Sequence, residues 1–286
     1  MIIVVMLFAL CLMDCNNPTA SKSLPAADSS NIMADTSHYA ERTLAKRILT
    51  PAGFEQQVAP EGSFQEYLRN IPLRKKGSKV RYYDGREKLV SNVYCEVVDL
   101  PIGNNDLHQC AVAVMRLRAE YLWRTQQYDQ IHFNFTNGFR VDYSEWMKGR
   151  RMIVNGNTTN WNNRHQPSNT YEDFWKYMEL IFTYAGTASL EKELMPVPFA
   201  EMRAGDVLIQ GGHPGHAVIV MDMAVNKQTG VQKYLLAQSY MPAQELQVLV
   251  NPKNKNMSPW YELDSQDMIS TPEWTFSRSN LRRFAN

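Results

Sequence analysis

Three short apolar segments between residues 207 and 238 constrain the fold more than any other part of the chain. The segments 207–210, 217–223 and 234–238 are rich in valine, isoleucine, leucine and methionine, a composition typical of buried strands. Turn-forming residues at 226–230 connect the last two segments. Strands that follow one another so closely pair as antiparallel neighbours. The sequence therefore predicts an antiparallel sheet in the C-terminal half of the chain.

Helical patterns come before these strands. Residues with helical spacing occur at 41–48, 64–68, 107–123, 171–184 and 187–194. Between them, a hairpin signal lies at 136–138, flanked by the apolar runs 131–135 and 139–143, and the Asn-rich stretch 155–169 predicts a loop. Helices followed by an antiparallel sheet indicate an α+β fold.

The composition limits the classes of protein. Of 286 residues, 44% are hydrophobic and 21% are charged, which is sufficient for the core of one large domain or two small ones. The formal net charge is only +1. Nucleic-acid binding is therefore not expected, because it requires a basic face.

Cys110 lies in the first turn of the predicted helix 107–123. Asp106 is the expected N-cap, with Gln109 as its capping-box partner. The N-terminus of a helix carries partial positive charge, which lowers the pKa of a thiol and favours the nucleophilic thiolate. Cys110 is therefore the predicted nucleophile.

His216 precedes the strand 217–223 and follows a glycine-rich stretch, 211–215, which is expected to leave space for a substrate. A thiol at a helix N-terminus and an imidazole on a strand form the combination that activates a nucleophilic cysteine. We predict that His216 takes the thiol proton. Gln238, on the next strand, is predicted to orient the imidazole, and Asp222 is the alternative.

An oxyanion hole would need the backbone N–H of Cys110 and one side-chain donor. Gln109, Asn104 and Asn105 are the candidates for that donor, and the sequence does not choose among them. The predicted chemistry needs no cofactor.

Other roles are open for the same residues. Cys110 taken alone fits a small core residue better than a nucleophile, and the catalytic interpretation depends on His216. A Cys95–Cys110 disulfide would exclude the catalytic role. His213 and His216 lack a convincing third metal ligand, so no metal site is expected. His108 is predicted to lie at the rim of the site.

The N-terminal residues predict export. Residues 1–15 form an apolar run typical of a signal peptide, and residues 16–40 form a polar tether. Cys15 at their junction fits lipidation, with plain secretion as the alternative. A lipid-anchored or secreted protein of the cell envelope is therefore predicted, with one folded domain over 41–286. A lipid at Cys15 would be its only membrane attachment.

Two stretches near His216 resemble the second motif of the papain-like cysteine peptidases of the CHAP and NlpC types. They are Gly-Asp-Val at 205–207 and Gly-His-Ala-Val-Ile-Val at 215–220. The resemblance implies a papain-like core with a helical and hairpin insertion at about 128–200. It also implies cleavage of peptide or amide bonds in the cell wall, with peptidoglycan peptides as the substrate partners.

The chain also resembles a bacterial family, domain of unknown function 4846, over nearly the whole predicted domain. That resemblance implies no activity. It is carried by residues 106–122, 184–190, 237–244, 258–261 and 271–274.

The sequence as a whole leads to two hypotheses about function. The protein is a thiol hydrolase, or it is a non-catalytic envelope lipoprotein that binds glycan or a protein partner on the same fold. Acyl transfer to lipid would use the same three residues.

Overall fold

The computed structural model describes residues 42–90, 92–163 and 165–285. The predicted signal peptide, the tether and Cys15 lie outside these residues. Within them, none of the helices combines the length and hydrophobicity needed to span a bilayer. The helices are α1 (Leu44–Arg47), α2 (Phe64–Arg69), α3 (Cys110–Arg124), α4 (Tyr143–Met147), α5 (Tyr171–Tyr184) and α6 (Thr187–Glu193).

The described residues also form fifteen strands. They are β1 (Glu55–Gln56), β2 (Tyr94–Val97), β3 (His132–Asn134), β4 (Arg140–Asp142), β5 (Arg150–Asn155), β6 (Thr158–Asn163), β7 (Met195–Pro196), β8 (Val207–Gln210), β9 (His216–Val225), β10 (Gln232–Gln238), β11 (Gln247–Leu249), β12 (Tyr261–Glu262), β13 (Met268–Ser270), β14 (Thr275–Ser277) and β15 (Leu281–Arg283). The mixture of helices with a large antiparallel sheet confirms the α+β class.

Nine strands form one sheet in the order β2-β11-β10-β9-β8-β15-β7, with β1 beside β9 and β12 beside β10. The three strands predicted from the sequence, β8, β9 and β10, are neighbours at its centre and pair antiparallel. Nearly every residue of β9 is buried. Both faces of the sheet are therefore covered, which explains why these strands are continuously apolar instead of alternating.

The two faces of β9 contribute to different cores. Ala217 and Ile219 pack in the core that contains the residues of α3. Val218 and Val220 pack on the opposite face, with Phe276 of β14. Successive residues of a strand point to opposite faces, so the helical layer covers one face and the C-terminal segment covers the other.

The structure confirms the predicted hairpin as β3–β4 and the predicted helices 171–184 and 187–194 as α5 and α6. The loop predicted over 155–169 is wrong in its first part, because β5 and β6 form a hairpin that extends to Asn163. Asn155 pairs with Thr158 across a two-residue turn, in which Gly156 has φ of 59°. Gly-Asn between two strands is a hairpin signal, which the asparagine content of this stretch obscured.

Candidate functional site

Cys110 is the first residue of α3, so the helix begins later than predicted. Asp106 does not cap it. Instead, Oδ1 of Asp106 accepts hydrogen bonds from the backbone N–H of Ala243 at 2.6 Å and from Nε2 of Gln109 at 3.2 Å. Gln109 occupies the N-cap position, and its side chain makes no capping hydrogen bond. The first-turn N–H groups, which have no acceptor inside a helix, therefore lack a side-chain cap.

The thiol of Cys110 is influenced by backbone N–H groups and by burial, which act in opposite directions. Its own N–H and those of Ala111 and Ala217 lower the pKa of the thiol. Burial is the larger effect and raises the pKa, because only 8% of the residue is exposed and desolvation disfavours the charged form. Contrary to the expectation from the helix N-terminus, Cys110 is therefore a neutral thiol at neutral pH in this structure.

Both cysteines of the described part are free. Cys95 lies in β2 with an exposed side chain, and Cys110 is buried. The alternative of a Cys95–Cys110 disulfide is therefore wrong.

His216 and Gln238 are brought together at one end of the sheet. His216 is the first residue of β9 and Gln238 is the last residue of β10. Nε2 of His216 lies 2.8 Å from Oε1 of Gln238. Because an amide oxygen only accepts, Nε2 donates, and the neutral ring has its lone pair on Nδ1. No hydrogen bond to Nδ1 occurs within the described residues.

Two residues that the sequence analysis missed continue this arrangement. Nε2 of Gln238 donates to Oε2 of Glu273 at 2.6 Å. The Glu273 carboxylate in turn accepts from Nζ of Lys88 at 2.9 and 3.0 Å. Lys88 and Glu273 are 185 positions apart in sequence, so no local pattern could have joined them. The only signal for Glu273 was its place in a stretch shared with the family.

Aromatic rings surround the imidazole of His216. The ring centroids of Tyr240, Trp274 and Phe276 lie 4.8, 5.4 and 5.9 Å from its own. Burial lowers the pKa of His216 to about 4, an effect that the hydrogen bond to Gln238 opposes and the charge of Lys88 reinforces. His216 is therefore neutral at neutral pH, as a general base must be before it takes a proton.

The thiol and the imidazole have different neighbours at the start of β9. The thiol lies beside the N–H of Ala217, whereas the ring of His216 stacks on Phe276 of β14. Tyr240 is near both groups, since it contacts His216 and its pKa is raised in part by Cys110. Within the described residues, no direct hydrogen bond joins the thiol to the imidazole.

The three candidate side-chain donors of the oxyanion hole have other positions, and Asn105 is exposed. The amide of Gln109 is bound to Asp106, so it is not aimed at the thiol. Asn104 is exposed and lines a cavity of about 380 Å³ together with Tyr82 and Tyr83. The donors nearest the sulfur are instead backbone N–H groups, including that of Ala111.

Asp222, the alternative third member of the site, has a different role. Its Oδ1 lies 2.6 Å from the guanidinium of Arg69, and its Oδ2 accepts from Gln56. The carboxylate of Asp222 therefore ties β9 to α2 and to β1. Of the two candidates, it is Gln238 that lies next to His216.

His108 was predicted at the rim of the site, and this prediction is wrong because its side chain is 0% exposed. The ring meets Phe182 edge-on, with centroids 6.0 Å apart. Neither ring nitrogen has a hydrogen bond of good geometry among the described residues. Burial lowers the pKa of His108 to about 3, helped by Arg116 and opposed by the nearby backbone of Gln244.

The glycines before His216 do not leave open space for a substrate, contrary to the expectation from the sequence. A Cβ on Gly211 would lie 2.6 Å from Oε2 of Glu191, and one on Gly215 would lie 2.5 Å from Oγ1 of Thr187. These glycines let the loop pack closely against α6.

The model for the family described as domain of unknown function (4846) matches residues 44–283. The match extends from α1 to β15 and includes every residue of the site described above. This α+β chain therefore belongs to that family, as the resemblance in the sequence indicated. No curated protein and no solved structure matches the chain.

Proposed function

We propose that this protein is a thiol hydrolase that cleaves amide or peptide bonds. Cys110 is the nucleophile, His216 is the general base and Gln238 orients the imidazole. The observation that carries the proposal is the 2.8 Å hydrogen bond between His216 and Gln238. Among the described residues it leaves Nδ1 of His216 without a hydrogen bond, and His216 directly precedes Ala217, whose N–H contacts the Cys110 thiol.

The reaction proceeds in two halves. Nδ1 of His216 takes the thiol proton as the sulfur of Cys110 attacks the carbonyl carbon of the substrate. The backbone N–H groups of Cys110 and Ala111 stabilise the resulting oxyanion. The C–N bond then breaks, and the amine leaves with the proton from His216, so that a thioester remains. Water attacks the thioester and gives one proton to His216, which returns it to the sulfur as the acid product leaves.

The site starts from a neutral thiol and a neutral imidazole, because burial disfavours both charged forms. His216 therefore acts as a base during the attack, without a preformed ion pair. No hydrogen bond joins the ring to the thiol among the described residues, so the two groups must come closer before the proton is transferred. Catalytic hydrogen bonds are often long or misaligned without substrate, so this geometry is compatible with the proposal.

Cell-wall peptides are the proposed substrates, and the proposed core of the fold is papain-like. Both follow from the likeness of residues 205–207 and 215–220 to the CHAP and NlpC motif. The proposal places the protein in the cell envelope, anchored by a lipid on Cys15. Loss of lipid labelling in Cys15→Ser would support the anchor, and unchanged labelling would refute it.

Muropeptides and a panel of model amides test the proposed reaction. The protein and Cys95→Ala are expected to turn over the same substrate, and Cys110→Ala is expected to be inactive. Cys95→Ala is the matched control, since it removes the other described thiol. Equal turnover by Cys110→Ala, or no turnover by any protein across the panel, would refute the hydrolase.

The burial of both groups favours a second candidate, a non-catalytic envelope protein that binds glycan or a protein partner. In that case, the neutral Cys110 and His216 are structural. Cosedimentation with purified peptidoglycan, unchanged in Cys110→Ala and without turnover, would favour this candidate. No cosedimentation would count against glycan as the ligand.

A further inference from the structure

Lys88 and Glu273 lie directly behind Gln238, on the side away from His216. We infer that this ion pair is a positioning device that decides which end of the Gln238 amide faces the imidazole. The inference about the ring stands on the hydrogen bonds alone. Its consequence for Cys110 rests on the proposed function.

The orientation of the amide follows from its two neighbours. A carboxylate only accepts hydrogen bonds, so the group 2.6 Å from Glu273 must be the NH₂ of Gln238. The carbonyl oxygen then faces His216 at 2.8 Å. The opposite orientation would place the carbonyl oxygen against the carboxylate and leave two acceptors in contact.

Lys88 keeps the carboxylate in place. Its ammonium group has three donors and no acceptor, and the side chain is only 4% exposed. A buried ammonium needs a charged partner, and Glu273 supplies two oxygens at 2.9 and 3.0 Å. Lys88 therefore selects an acceptor at position 273, and that acceptor selects the orientation of Gln238.

The orientation of Gln238 fixes the tautomer of His216. With the carbonyl oxygen facing the ring, the proton is on Nε2 and the lone pair is on Nδ1. With the NH₂ group facing the ring, the lone pair would be on Nε2 and the proton on Nδ1. Only the first tautomer leaves Nδ1 free to accept the proton of Cys110.

Exchanging the two charges, in K88E/E273K, tests this directly because it retains the ion pair and reverses donor and acceptor. Gln238 would then meet an ammonium group and turn its carbonyl oxygen towards it. The ¹⁵N chemical shifts of the His216 ring report the tautomer. We expect Nε2–H in the unaltered protein and Nδ1–H in the exchanged variant. We also expect iodoacetamide to alkylate Cys110 at least about 100-fold more slowly in that variant at neutral pH.

The same exchange at a second ion pair, in K233E/E262K, is the matched control. Lys233 is also 4% exposed, and its Nζ lies 2.6 Å from Glu262. This pair joins β10 to β12 and makes no described hydrogen bond to His216 or Gln238. The tautomer of His216 and the alkylation rate are expected to remain unchanged.

A folded K88E/E273K protein with the original tautomer would overturn the inference. If circular dichroism shows that this variant is unfolded, K88M/E273Q replaces it, since without the ammonium an amide at position 273 either donates or accepts. K88M/E273Q is then expected to give a mixture of tautomers, and a single unchanged tautomer would overturn the inference. A changed tautomer with unchanged alkylation would support the inference about the ring and count against the proposed function.

Discussion

Two buried histidines, His108 and His216, lie close to the start of α3 and differ in how their rings are held. They are 0% and 1% exposed, and burial lowers their pKa values to about 3 and about 4. The ring of His216 is hydrogen-bonded to Gln238, whereas that of His108 has no such partner among the described residues. Burial is enough to keep both rings neutral. Only the hydrogen-bonded ring has a defined place for its proton, which a general base requires.

Adjacent residues at the end of β10 hold the two histidines in different ways. Gln238 binds the ring of His216. Ser239 instead lies with Oγ 2.7 Å from the backbone carbonyl of His108 and 2.7 Å from that of Gln244. The same strand end therefore orients the side chain of His216 and anchors the backbone of His108 before α3. The proposed function uses His216 as a base and gives His108 only a structural role.

Replacing each histidine gives the largest expected difference. In His216→Ala, alkylation of Cys110 by iodoacetamide at pH 7 should slow by about 100- to 10,000-fold, because a general base contributes a factor of this size. In His108→Phe, which keeps a buried ring, the rate should stay within a few-fold of the original. Mass spectrometry of the labelled peptide measures both. Equal rates in the two variants would remove the distinction between the histidines.

Removing the carboxylate of Glu273 should lower the stability of the protein. Glu273→Ala leaves the buried Lys88 ammonium without its partner, at an expected cost of about 3 kcal/mol in the free energy of unfolding. Glu262→Ala serves as the control. Lys233 is as buried as Lys88, but its partner Glu262 is 52% exposed, so water can take the place of the missing carboxylate. Urea unfolding at pH 7 measures both. If Glu273→Ala lowers the free energy of unfolding no more than Glu262→Ala does, the claim that the buried Lys88 needs a charged partner is contradicted.

Acid should destabilise the protein through both histidines. Their folded pKa values lie below the unfolded value of about 6.5, so the unfolded chain binds more protons as the pH falls through that value. The free energy of unfolding therefore has its full value above pH 6.5. At pH 5, each histidine lowers it by about 2 kcal/mol. His108→Phe should therefore lose about 2 kcal/mol less than the unaltered protein between pH 7 and pH 5. The same loss in both proteins would show that His108 is not a buried neutral group.

The smallest expected effect concerns the anchor of the His108 backbone. Ser239→Ala removes the hydroxyl between two carbonyl groups and should cost about 1 kcal/mol in the free energy of unfolding. The tautomer of His216 should not change, because Gln238 retains its own partners. A change of tautomer in Ser239→Ala would mean that the two histidines are not held independently.

The parts of the fold that the sequence predicted are governed by local patterns. Continuous apolar runs identified the central strands, and helical spacing identified α5 and α6. The place of Gln238 beside His216 also followed, because neighbouring antiparallel strands bring their ends together. The class of fold and one contact of the site could therefore be inferred without coordinates.

The remaining features depend on contacts between distant parts of the chain. Asp106 has the sequence of a cap but binds the N–H of Ala243, 137 positions away, and this moves the start of α3 to Cys110. Lys88 and Glu273 meet only in the folded state. The pKa of the Cys110 thiol depends on burial, which outweighs the helix N-terminus and which no local motif encodes.

The pH dependence of Cys110 alkylation tests the central claim, that His216 serves as the base for this thiol. Deprotonation of His216, with its pKa of about 4, should switch on a first rise in rate. A second rise should follow only at alkaline pH, where the buried thiol ionises by itself. His216→Ala should lose the first rise and keep the second. A single alkaline rise, identical in the unaltered protein and in His216→Ala, would contradict the account.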